Sequence, residues 1–254
     1  FMSSDGATVS AAALTTGEVL WSATVPLGDG LHPTPQAYRD GVVYVMPTSW
    51  FLSNEFLYAL DADTGALLWQ SEDAIMAHFY TSPLFLPNGD LLTNGRYVSG
   101  RGWRLMRLDH RDGSVVWNRR AGDGSNPEVA GGALYQDRFY IVREPAGRHQ
   151  LARIDVDTGA RMYSSAPLGP AGTTAAAEDI AIDHDGLILW PVGNQITGGA
   201  FLLAYRDTGT SLVEAWRTPI GDSWASNVGV GPDGPIYVCS REDELLRLDP
   251  LTGA

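Results

Sequence analysis

The sequence contains no lysine, so all 17 of its basic residues are arginine. That absence excludes a Walker-type phosphate loop, which needs its Lys, and every Schiff-base mechanism. Cysteine is almost missing as well. The lone Cys239 cannot close an intrachain disulfide, and zinc sites built on several thiolates are ruled out. Positive charge is scarce: 30 Asp and Glu against 17 Arg leave a net charge of −13. Such a balance argues against nucleic acid and anionic membranes as partners, because affinity for a phosphate backbone is mostly neutralisation by basic groups. No apolar run approaches the roughly 18 to 20 residues that span a bilayer. The start of the chain has neither the charged region nor the apolar region of a signal peptide.

Catalytic signatures are missing too. There is no Gly-x-Ser-x-Gly elbow, and Cys239 sits in the apolar stretch Ile236–Cys239, where a buried, inert thiol is expected. The five histidines, His32, His78, His110, His149 and His184, are never at a spacing that would gather a metal locally. His110 and His184 fall in turns and are expected to be solvated, while His32 and His78 fall in longer connections. The acidic stretches Asp61–Gly65 and Asp155–Gly159 are too short for a calcium loop of about twelve residues. No catalytic residue, metal ligand or cofactor is assigned.

What the sequence does have is turns and a period. Its 29 Gly and 15 Pro, beside 44% hydrophobic and 19% charged residues, describe a turn-rich globular chain. The clearest unit is Leu57–Trp69, in which an alternating strand meets Asp61-Ala62-Asp63-Thr64-Gly65 and a short strand closes on Trp69. Related copies end on Trp21, Trp117, Tyr163 and Trp216. The marker glycines Gly17, Gly65, Gly113, Gly159, Gly209 and Gly253 are 48, 48, 46, 50 and 44 residues apart. Asp can accept local backbone N–H bonds and Gly can take φ > 0, so each unit reads as a hairpin. Two further short strands precede each hairpin, as at Leu84–Leu86 and Leu91–Thr93 around Pro87-Asn88-Gly89-Asp90. Four short antiparallel strands per period of 40 to 50 residues is the pattern of a β-propeller blade.

The motif Ala59-x-Asp61-x-x-Thr64-Gly65-x-x-x-Trp69 resembles the tryptophan-docking motif of the quinoprotein-alcohol-dehydrogenase-like propellers, with their PQQ-like repeats. The copies depart from it in places: Arg107 and Arg153 replace the small Ala, and Tyr163 replaces Trp. The resemblance implies an all-β propeller of four-stranded antiparallel blades, about five of them visible, within a ring of seven or eight. Residues 1–254 are then a single propeller domain, incomplete at both ends, with residues 1–21 supplying only two strands of the first blade. The resemblance also implies that Trp21, Trp69, Trp117, Tyr163 and Trp216 pack between blades.

Functional residues are expected in the long connections, at His78, Tyr80, Asn126, Glu128, Asp222 and Trp224. Motif-rich but catalytically bare propellers of this type resemble the lipoprotein scaffold of bacterial outer-membrane assembly. The reading is therefore a non-catalytic, periplasmic or extracytoplasmic scaffold subunit that binds a protein partner of neutral or basic surface. The alternative is a fragment of a dehydrogenase dependent on pyrroloquinoline quinone and calcium. Those enzymes typically stack the quinone on a ring made by two adjacent bonded cysteines, which one Cys cannot build.

Overall fold

In the computed structural model the described residues are 2–3, 7–27, 31–48, 53–77, 82–98, 102–120, 132–143, 148–168, 175–177, 180–194, 199–221, 228–239 and 244–254. Among them every regular element is a strand. These strands pair antiparallel into six sheets, which are the blades of a β-propeller. The chain divides into two units, Phe1–Arg120 and Ala121–Ala254.

The first unit holds three sheets. Met2–Ser3, Thr8–Ala12 and Val19–Thr24 form the first, so the segment expected to give two strands gives three, because Met2 and Ser3 pair with Ser10 and Val9. The second sheet runs His32–Arg39, Val42–Thr48, Tyr58–Asp61, Leu67–Gln70. His32 thus begins a strand, paired with Thr48, rather than lying in a connection. In the third sheet Val115–Arg120 pairs with Gly102–Leu108 and that with Leu91–Val98, which pairs in turn with both Ile75–Ala77 and Leu84–Phe85. Ser53–Glu55, which lies in sequence between two strands of the second sheet, pairs with Ile75–Ala77 and so extends the third.

The second unit repeats the pattern. Gly132–Tyr135, Arg138–Arg143, Gln150–Ile154 and Arg161–Ser164 form a four-stranded sheet. Next comes Ala175–Ala177 with Ala181–Ile182, then Ile188–Asn194, Gly199–Asp207 and Leu212–Pro219. The last sheet is Val228–Val230, Ile236–Cys239 and Leu245–Leu248.

Strand alternation explains where the core sits. Successive side chains of Val42–Thr48 point to opposite faces. Val43 and Val45 join Val9, Val25, Tyr58 and Leu60 against the first sheet, while Tyr44 and Met46 join Trp69, Ile75, Leu91 and Met106 against the third. Both faces of a middle strand are therefore buried, and its sequence reads as an unbroken apolar run. In the second unit Trp190, Tyr205 and Tyr140 fill one such layer, and Leu189, Leu202 and Val238 the next. Cys239 departs from expectation. Ile236 and Val238 take the buried side of their strand, and Cys239, at its end, is exposed.

Candidate functional site

The six residues expected to bind a partner, His78, Tyr80, Asn126, Glu128, Asp222 and Trp224, all lie outside the described residues. What the structure details is the frame that carries those loops, above all the position at the end of each hairpin.

That position is built from the turn outward. Asp61 Oδ1 accepts bonds from the backbone N–H of Asp63 and Thr64 and from the Thr64 hydroxyl, and Asp155 and Asp249 do the same in their own turns. These bonds, led by the Thr64 hydroxyl, hold the Asp61 carboxyl below its usual range. Gly65 then takes φ of 74°, a conformation that suits glycine. It also meets a close neighbour: a Cβ on Gly65 would stand 2.5 Å from the Trp21 ring of the preceding sheet. The Trp21 indole N–H donates to the Ala62 carbonyl at 2.9 Å. Trp69 repeats the arrangement, donating to the His110 carbonyl at 3.0 Å, with its ring 2.6 Å from a Cβ on Gly113. Trp216 does likewise with the Pro250 carbonyl and Gly253. Trp117 is buried at the equivalent place in its own hairpin.

The register adds a feature of these hairpins. Directly across from each aromatic stands the small residue of the motif, or its replacement: Ala11 opposite Trp21, Ala59 opposite Trp69, Arg107 opposite Trp117, Arg153 opposite Tyr163, Ala204 opposite Trp216. Where the replacement is Arg, a buried carboxylate answers it.

At Arg153 the answering group is Asp207. The Arg153 guanidinium lies over the Tyr163 ring, 5.7 Å from its centre, and donates to the Tyr163 oxygen at 2.8 Å. The Tyr163 and Tyr140 hydroxyls each donate to Asp207 at 2.6 Å, and the Gly209 N–H donates at 2.7 Å. Arg138 and Arg153 stand 3.9 and 3.8 Å from the same carboxylate. Burial by itself would raise the Asp207 carboxyl, but the two tyrosine bonds, the Gly209 N–H and Arg153 outweigh it and hold the group below its usual range. Burial and the Asp207 bond together push Tyr140 well above the ordinary tyrosine range.

At Arg107 the answering group is Asp90, which Arg107 grips through Nε at 2.9 Å and a terminal nitrogen at 2.7 Å. His110 Nδ1 lies 3.0 Å from the other Asp90 oxygen, so His110 is engaged rather than solvated as its turn position suggested. His184 is exposed, as expected of its turn, with its Nε2 3.2 Å from the Gly231 carbonyl. Burial would raise Asp90, and bonds from His110, Asn88 and Arg107 bring it below its usual range instead. Asp90, Asp109 and His110 place their ligand atoms within 4.8 Å of one another, the spacing of a metal site. Both carboxylates already hold an arginine, however, Arg107 on Asp90 and Arg111 on Asp109. A cation would have to displace two guanidinium groups, so the cluster is read as an ion-pair network.

Two serines were missed by sequence reasoning. Ser71 and Ser165, each two residues beyond the docking aromatic, are buried and accept from the N–H of Leu57 and Leu151 while donating to the carbonyls of Asp73 and Ala166. The signal was there as a Ser at a fixed offset.

Residues 1–93 and 57–198 match the family described as outer membrane protein assembly factor BamB. No curated protein matches the chain by sequence. Among solved structures, Kuenenia stuttgartiensis hydrazine synthase is similar with a TM-score of 0.56 at 12% identity, over 82% of this chain and 62% of that one. The Dos1 propeller gives a TM-score of 0.54 at 9% identity, over 84% and 53%. Kluyveromyces lactis Hsv2 gives 0.52 at 12% identity, over 92% and 65%. The chain thus spans between about half and two thirds of the length of these structures, and at such identities the likeness concerns the fold.

Proposed function

The chain belongs to the family of the outer membrane protein assembly factor BamB, and from that premise we propose that it is a non-catalytic propeller scaffold that binds a protein partner outside the cytoplasm. The observation that carries this reading is the family match over residues 1–198. It is supported by a frame in which the distinctive chemistry, at Trp21, Trp69, Tyr163 and Trp216, is spent on holding sheets together. A rigid frame with separable loops suits recognition, because the contact surface varies without disturbing the core. The binding residues are then His78, Tyr80, Asn126, Glu128, Asp222 and Trp224, which combine aromatic area with polar groups. The net charge of −13 favours a neutral or basic partner surface at those loops.

The experiment compares two kinds of tryptophan. Trp224→Ala and Tyr80→Ala are expected to weaken co-purification of the partner at nearly unchanged melting temperature, whereas Trp69→Ala lowers the melting temperature first. If the loop variants retain every co-purified partner, the scaffold reading falls. A rise in melting temperature with micromolar pyrroloquinoline quinone and calcium would instead favour the dehydrogenase reading, against which the single Cys239 stands.

A further inference from the structure

The negative charge is not evenly spread. Residues 91–120 carry seven of the 17 arginines against two acids, Asp109 and Asp112, a net of +5 inside a chain of net −13. Ion pairing accounts for part of this excess, Arg107 being held by Asp90 and Arg111 by Asp109. It does not account for the far end of the same hairpin. There Arg104 and Arg120 are direct antiparallel partners, so their side chains leave the same face of the sheet. Like charges placed opposite each other destabilise a strand pair. Arg104 donates through Nε to Asn118 Oδ1, and the nearby Asp73 is engaged by the Asn118 amide. Among the described residues no carboxylate bonds either guanidinium, and Arg120 is exposed.

Two arginines paired across the strands, with Asn118 holding one of them, offer guanidinium groups on one side of the hairpin that a carboxylate can meet with charge-assisted bonds. We propose that Arg104 and Arg120 clamp a carboxylate of an acidic protein segment. The remainder of the chain decides among anions. The net charge of −13 over the whole chain disfavours an extended polyanion such as nucleic acid or an anionic bilayer, whereas a short acidic segment needs only the local excess of arginine. The inference goes beyond the loop-borne binding proposed above, and either can fail alone.

The test uses the whole chain and a fluorescently labelled hexaglutamate peptide at low ionic strength. Binding is expected, and replacing both residues, Arg104→Gln with Arg120→Gln, weakens it by about tenfold or more, the loss of a charge-assisted bond. Arg161→Gln, which removes an exposed arginine from another sheet, leaves it unchanged. Inorganic phosphate and vesicles containing phosphatidylglycerol are the competing ligands. Tighter binding to either, or equal loss in Arg161→Gln, overturns the assignment, as does absence of hexaglutamate binding. Thermal melting supplies the second readout. Arg120→Gln relieves the repulsion, so it should melt at or above the parent temperature and lose the stabilisation that hexaglutamate gives the parent; a lower melting temperature would mark Arg120 as structural and sink the proposal.

Discussion

The hairpin that ends on Trp69 and the hairpin that ends on Tyr163 occupy the same place in the repeat and are held by different chemistry. Trp69 presses an apolar face onto Gly113 and gives one N–H to a backbone carbonyl. Tyr163 instead gives its hydroxyl to a buried carboxylate, which a second tyrosine and two arginines also face. The next glycine reflects the difference: Gly113 has the Trp69 ring against it, while Gly209 has nothing within 4 Å of where a Cβ would stand. A repeat position fixes the geometry of a junction without fixing its chemistry.

The largest effect should come from emptying the apolar junction. Trp69→Ala is expected to cost about 3–5 kcal/mol in denaturant unfolding, from lost burial and an unfilled cavity. A cost under about 1 kcal/mol would break the comparison, since large aromatic truncations in a packed core rarely come so low. Next are the glycines. Gly113→Ala meets both the Trp69 ring and a backbone at φ 73°, whereas Gly209→Ala meets only a backbone at φ 87°. Backbone strain alone is about 1–2 kcal/mol, so Gly113→Ala should be clearly the more destabilising, and equal costs would show that the ring contact is unimportant.

Smaller still is Tyr163→Phe, which leaves Asp207 and Arg153 short of a partner, at about 1–3 kcal/mol. The polar junction also carries a pH signature that the apolar one lacks. Because Asp207 is held below its usual range, its contribution is complete above the unfolded value of about 3.9 and fades as the pH falls through the lower folded value. The acid limb of a stability profile should therefore be shallower in Asp207→Asn than in the parent. Unchanged slopes would mean that Asp207 titrates alike in both states.

Much of the fold was legible because it is local. The Thr-Gly turns, their spacing, and the aromatic that closes each hairpin are contiguous in sequence, and the physics of an Asx turn acts over three residues. The departures from the motif were visible as residue types, Arg107 and Arg153 in place of Ala. Their partners were not, because Asp90 comes from another turn of the same sheet, and Asp207 from a neighbouring sheet, 54 residues beyond Arg153. For the same reason the sequence around His110 suggests only a solvated turn residue: nothing nearby in sequence announces the Asp90 oxygen. Cys239 misled in a different way, since an apolar run shows that a strand is buried but not which residue ends it on the exposed side.

The claim that one repeat position runs on two chemistries is tested most directly by putting the commoner aromatic into the rarer junction and measuring unfolding of Tyr163→Trp in denaturant. Indole has no acceptor for Arg153, and at the other junctions its one N–H goes to a backbone carbonyl rather than a carboxylate, so the variant should lose about 1–3 kcal/mol and show a flatter acid limb. A variant as stable as the parent, or more so, would show that the position accepts any docking aromatic and that the Asp207 cluster contributes nothing of its own.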